Sequence, residues 1–210
     1  MDKQYEELNL QQHISETDPF TVDRYKQFFG HFPPGVSRAV LDIGCNTGRG
    51  GTTLMGLDKS LVISGLDVVE ERLSRLPSDV YKYKVHGSST AIPADDCTYD
   101  VIVAGEFIEH IYPSDVDATL TEIFRTLKIK GRLLLTTPNP YDIKRRMRGE
   151  SILGLAHVSQ HYPDLLKLKL RMIGFSNVKI LGSGKMTRYL GSHFPLLSVY
   201  GSYLVMGDKF

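Results

Sequence analysis

Val40-Leu41-Asp42-Ile43-Gly44-Cys45-Asn46-Thr47-Gly48-Arg49-Gly50-Gly51 joins an apolar run, an acid and a glycine-spaced turn. Residues 39–43 suit a strand buried on both faces. Gly44 and Gly48 supply backbone freedom and the absence of a Cβ where a ligand approaches the main chain closely. Asn46, between them, is among the residue types that best tolerate the left-handed region. A strand delivering such a loop is the first half of a nucleotide-binding unit. A dinucleotide fingerprint, however, would place glycine at the third and sixth positions from Gly44, and those are Asn46 and Arg49, which argues against a nicotinamide dinucleotide.

Residues 61–67, Leu-Val-Ile-Ser-Gly-Leu-Asp, read as the next strand. They end in Asp67, roughly 20 residues past the loop, where a ribose-binding carboxylate belongs in a βαβ unit. An acid at a strand end also serves as a helix cap or in a solvated turn, and its place after the glycine loop favours the ribose. The acid and its alternate glycines (Asp42, Gly44, Asn46 in a glycine's place, Gly48, Gly50) resemble the first motif of the class I S-adenosylmethionine-dependent methyltransferases. The resemblance implies S-adenosyl-L-methionine as cofactor. It also implies that Asp67 holds both ribose hydroxyls, as the equivalent acid does in that family.

With 210 residues, 41% of them hydrophobic, the chain can bury a sizeable core as a single α/β domain. No apolar run reaches the roughly 20 residues that span a bilayer. The first residues are polar and acidic, unlike a secretory signal, so cytoplasmic residence is the expectation. Cys45 and Cys97 are too few for a disulfide framework or a zinc site, and both fall in segments read as buried or cofactor-facing. A net charge of +1 does not describe a surface that coats nucleic acid.

Strand-like and helix-like segments alternate along the chain. Residues 21–29 carry Val22, Tyr25, Phe28 and Phe29 at helical spacing, and this helix is expected to cover the cofactor cleft. Residues 81–86, 99–105 and 131–137 read as the third, fourth and fifth strands. Between the last two, Ser114 is expected to cap a helix that Lys128 and Lys130 favour at its C-terminal dipole and Gly131 ends. A further helix at 163–173 is closed by Gly174 and followed by strands at 178–181 and 198–206. The loop between those strands shows no convincing helix, which suits an antiparallel pair. The expectation is a doubly wound, seven-stranded, mostly parallel sheet with a reversed last strand, the Rossmann-like fold that the resemblance implies. Within it, 1–37 would form an N-terminal cap segment, 38–137 the cofactor-binding core, 138–162 an acceptor lid and 163–210 the C-terminal helix and strand pair.

The resemblance distributes roles over the cleft. Gly44 and the turn from Asn46 to Gly48 would pass under the amino-acid portion of the cofactor, and Asp42 would anchor the loop or meet the ammonium through water. Asp67 would bind ribose, with Val68 beside adenine. Ser88 stands where relatives usually carry an acid for the adenine amino group. Glu106-Phe107-Ile108-Glu109-His110 follows the fourth strand and, with Glu106 near the cofactor, resembles the Glu-x-x-Glu-His of ubiquinone-pathway O-methyltransferases and of small-RNA 2′-O-methyltransferases. There these side chains can hold a divalent ion, whereas metal-free relatives use the histidine as a base or as pocket floor. His157 stands ahead of the next helix, where similar enzymes present a histidine to the acceptor. The basic run Lys144-Arg145-Arg146-Met147-Arg148 is either a solvated face or support for an anionic acceptor.

The reading is an S-adenosylmethionine-dependent methyltransferase that methylates oxygen on a small polar or anionic acceptor of sugar, nucleotide-linked or quinone-precursor type. Glu109, His110 and His157 are the expected catalytic residues, one histidine taking the hydroxyl proton. An RNA-terminus 2′-O-methyltransferase and a non-catalytic S-adenosylmethionine-binding protein are the alternatives. A divalent metal stays open, as does the oligomeric state.

Overall fold

A computed structural model describes residues 18–35, 39–154 and 156–210. The polar leader at 1–17, the first part of the expected N-terminal cap segment, lies outside the described residues. Seven strands form one sheet: β1 (Ala39–Ile43), β2 (Val62–Asp67), β3 (Tyr81–His86), β4 (Tyr99–Gly105), β5 (Leu127–Pro138), β6 (Ser176–Ser183) and β7 (Ser202–Asp208), in the order β3-β2-β1-β4-β5-β7-β6. All pairs from β3 to β5 are parallel, and β7 runs antiparallel to both β5 and β6. This is the doubly wound sheet with a reversed last strand that the alternation predicts.

Side chains alternate across a strand, so each central strand feeds two cores. Leu41, Ile102, Leu133 and Leu135 face one cluster, closed by α4 (Val116–Thr126) and α6 (Pro163–Ile173) through Leu120, Ile123, Leu166 and Leu170. Val40, Val101, Val103 and Leu134 face the other, closed by α1 (Thr21–Phe29), α2 (Arg49–Leu57) and α3 (Glu70–Arg75) through Tyr25, Phe28, Leu54 and Leu73. Burial on both faces is what an apolar run such as 39–43 requires. Strand order reverses between β1 and β4, and the crevice beyond the carboxyl ends at such a switch point is the usual ligand site of an open α/β sheet. Among the described residues, no helix is long and apolar enough to cross a membrane.

Four local expectations need correction. The helix expected from Ser114 has Asp115 at its N-cap position, with no side-chain capping bond, and the Ser114 hydroxyl donates to Asp115 instead. It ends at Thr126, not Gly131: residues 127–130 join the β5 ladder, Leu127 pairs with Tyr99, and Lys128 reaches Asp100 at 3.1 Å. The cation that does serve the helix end is Lys209, whose Nζ donates to the carbonyls of Phe124, Arg125 and Leu127. The loop before β7 contains a short helix, α7 (Thr187–Leu190), and β7 starts at Ser202 after a 3-10 turn, Leu197–Val199. Cys45 is buried, but Cys97 is exposed in a tight turn with φ 53°.

Candidate functional site

Beyond the carboxyl ends of β1, β2 and β4 lies a cavity of about 780 Å³, within the range that holds a cofactor and a small acceptor together. The glycine loop forms its floor. Gly44, Asn46 and Gly48 all have positive φ (66°, 47° and 78°), so the turn needs residues that accept the left-handed region. Gly44, Asn46 and Thr47 line the cavity, while Gly48 turns behind them.

Asp42 anchors this loop and does not line the cavity. It is fully buried, and its two oxygens accept from Tyr25 Oη at 2.5 Å and Tyr81 Oη at 2.6 Å. Burial pushes its pKa up to about 6 against the pull of both hydroxyls. The Gly51 amide donates to Tyr81 Oη at 3.0 Å. Gly50 and Gly51 make room for these rings: a Cβ on Gly50 would lie 2.1 Å from Tyr25 Cζ, and one on Gly51 2.4 Å from Tyr81 Cζ. The last glycines of the motif therefore serve tyrosine packing, which glycine spacing alone did not reveal.

Asp67 ends β2 at the cavity wall, beside Val68. Its Oδ2 accepts from the Asn46 amide at 3.1 Å and its Oδ1 from the Val69 amide at 2.9 Å, which fixes the carboxylate while leaving a lone pair on each oxygen. Burial raises its pKa, and the Val69 amide opposes this. Ser88 does not line the cavity, as its hydroxyl pairs with Thr90 Oγ1 at 2.8 Å, whereas Gly87 and Ser89 on either side do.

Across the switch point, Glu106 has φ 51° and donates its amide to Thr136 O at 3.0 Å, turning the chain into the cavity directly after β4. Arg24 of α1 sits 3.8 Å from Glu106 Oε1 and bonds Asp18 at 3.1 Å, and all three line the cavity. The sequence reading missed Arg24. Its one signal was its place a turn after Phe20, on the helix face beside Tyr25.

Glu109, His110 and His157 come together, the two histidines lining the cavity and Glu109 buried beside them. Glu109 is fully buried; its Oε2 accepts from Thr137 Oγ1 at 2.9 Å, and its Oε1 has no hydrogen-bond partner among the described residues. Burial first, and Glu106 second, raise its pKa well above the ordinary carboxylate value. The Glu109 carbonyl accepts from the Val158 and Ser159 amides, clamping the 151–159 stretch over the site. His110 Nδ1 lies 3.0 Å from Ala156 O and His157 Nδ1 3.1 Å from Ile152 O. A carbonyl can only accept, so each Nδ1 donates, and in the neutral ring the lone pair then lies on Nε2. Burial lowers the His110 pKa to about 4. The two rings meet edge to face with centroids 4.9 Å apart, and ligand-capable atoms of Glu109, His110 and His157 all lie within 4.8 Å of one another. Two imidazoles whose other nitrogens are held by backbone carbonyls, with an unsatisfied carboxylate oxygen, form a donor set that fits a divalent cation.

A family model described as a methyltransferase domain matches residues 15–179. The chain is 30% identical over 105 residues to a probable S-adenosylmethionine-dependent methyltransferase of Mycolicibacterium smegmatis, a match covering 50% of this chain but only 39% of that protein. A SAM-dependent methyltransferase from Archaeoglobus fulgidus superposes with a TM-score of 0.69 at 20% identity, covering 90% of this chain and 92% of that one. The small RNA methyltransferase HEN1 superposes with a TM-score of 0.69 at 18% identity, covering 92% of this chain and 26% of that one.

Proposed function

Because the chain belongs to the S-adenosylmethionine-dependent methyltransferases, we propose that it transfers the cofactor's methyl group to an oxygen of a small polar or anionic acceptor. What carries the reading is a single cavity lined by the glycine loop, Asp67, His110 and His157, with the buried Glu109 beside the two histidines. S-adenosylmethionine supplies, when bound, an electrophilic methyl on a positively charged sulfur.

The chain's own groups do the rest. Asp67, aimed by two backbone amides, accepts from the ribose hydroxyls, and Val68 packs beside adenine. Glu106 and Arg24 present opposite charges to the ammonium and carboxylate of the amino-acid portion. The 138–162 stretch acts as an acceptor lid: Ile152 and Leu153 shield the cavity, and His157 descends beside His110. A His110 pKa near 4 is poorly matched to general-base work at neutral pH, so His110 acts as a neutral acceptor or ligand. The lone pair on His157 Nε2 then takes the acceptor hydroxyl's proton. In the alternative, where the His157 lone pair is given to a cation instead of a proton, Glu109, His110 and His157 would hold a divalent ion whose charge would lower the pKa of that hydroxyl.

Incubating the protein with methyl-labelled S-adenosylmethionine and a small-molecule extract tests the reading, with products identified by mass spectrometry. Label in an O-methyl ether is the expected result. Label on nitrogen, or on the 3′ end of small RNA in a parallel incubation, would contradict the assigned acceptor.

A further inference from the structure

Helix α5 (Ile143–Met147) places cationic and aliphatic side chains at the lip of the cavity without using either in the site. At 100° per residue, Ile143 and Met147 fall within about 40° of each other and form one ridge. Lys144 and Arg148 lie about 100° to one side of it, Arg146 about 60° to the other, and Arg145 opposite. The burial agrees with this wheel: Ile143 is 50% and Met147 81% exposed, while Arg145 is tucked inward, its Nη1 donating to Ser151 O at 3.4 Å. That bond ties the helix to the lip, where Leu153 adds a third aliphatic side chain at 49% exposure. Asp142 is buried and caps the helix by accepting from the Lys144 amide, and the exposed Glu150 lies 3.6 Å from Arg148 Nη1, a solvated pair of the kind that contributes little. The four cations at 144–148 carry +4 in a chain of net charge +1, so the remainder of the chain carries −3.

We propose that α5 and the lip dock on an anionic bilayer surface, the Ile143–Met147 ridge entering the headgroup layer and the flanking cations contacting lipid phosphates. An apolar ridge between cations is the pattern of an interfacial helix, and each cation near an anionic surface strengthens partitioning by roughly fivefold. A single-stranded nucleic acid would instead call for aromatic side chains on which bases stack, and this ridge is aliphatic. Leu153 and Ser151 belong both to the lip and to the cavity wall, so a docked protein opens its cavity toward the headgroups. The consequence that the acceptor is presented from that layer rests on the methyl-transfer reading. The docking does not.

Sedimentation with vesicles of phosphatidylcholine, alone or mixed with phosphatidylglycerol, tests the docking without cofactor. The chain pellets with the mixed vesicles, not with phosphatidylcholine alone, and high salt releases it. Ile143→Ser with Met147→Ser, and separately Lys144→Gln with Arg148→Gln, each lower the partition coefficient by about tenfold or more. Met172→Ser, at an 80% exposed position on α6, leaves it unchanged. Thermal melts establish that the variants fold, and the exposed Lys144 and Arg148 pair decides should the apolar pair unfold. Absence of binding to the mixed vesicles, wild-type binding by the folded Lys144 and Arg148 variant, or binding to a short single-stranded RNA in place of vesicles overturns the proposal.

Discussion

Asp42 and Asp67 are both buried acids at strand ends, yet the structure divides their work. Asp67 keeps lone pairs toward the cavity, so Asp67→Ala should weaken S-adenosylmethionine binding by about 1.5 to 3 kcal/mol with the fold intact, read by calorimetry; unchanged affinity would remove the ribose role. Asp42 is sealed between two tyrosines. Its native pKa of about 6 exceeds the value of 3.8 expected of an unperturbed aspartate, so from pH 4 to 6 the native state holds a proton that the unfolded state has released. Stability from this group is therefore greatest below pH 4 and falls as pH rises to 6, by up to about 3 kcal/mol. Urea titrations should show wild type losing that much relative to Asp42→Asn across this window, and a difference independent of pH would contradict the burial argument. The acid's position was legible in the sequence, but its partners were not, because Tyr25 and Tyr81 are 17 and 39 residues away.

Elements with a clear period and a clean stop read correctly: α1 at 21–29 and α6 at 163–173 stand where the sequence puts them. The end of α4 did not, because Lys128, Lys130 and Gly131 imitate a helix terminus while the burial of Leu127 and its pairing with β4 extend the strand instead. The helix end is held by a lysine 82 residues beyond Leu127, a contact that no local pattern announces. Lys209→Ala should accordingly lower unfolding free energy by about 2 kcal/mol, since three charge-assisted bonds to carbonyls are lost, while Lys130→Ala costs under about 0.5 kcal/mol. Equal losses in denaturant titrations would return the capping role to Lys130. At the lid, the glutamate-histidine pattern after β4 marked Glu109 and His110, but their approach to His157 depends on backbone bonds from Glu109 to Val158 and Ser159. If this cluster holds a cation, chelation should reduce methyl transfer by about 10²-fold or more, with manganese or magnesium restoring it and His157→Ala giving the same loss. Chelator-resistant activity with a slow His157→Ala variant would leave proton acceptance by His157 alone.

The molecule as a whole places its cleft where strand order reverses, and the alternation of strands and helices was enough to predict that place. The acceptor is a different matter: in the proposed reading it meets side chains of the 138–162 stretch, where one short helix, Ile143–Met147, is the main regular element and no single period runs through the sequence. The account stands first on cofactor binding at the β1 loop and Asp67. Titration calorimetry of the chain with S-adenosylmethionine or its demethylated product, beside NADH as a control, tests this most directly. The predicted result is a one-site isotherm of roughly micromolar affinity for the first two and none for NADH. No heat with either methionine compound, in a folded protein that does bind NADH, would contradict it.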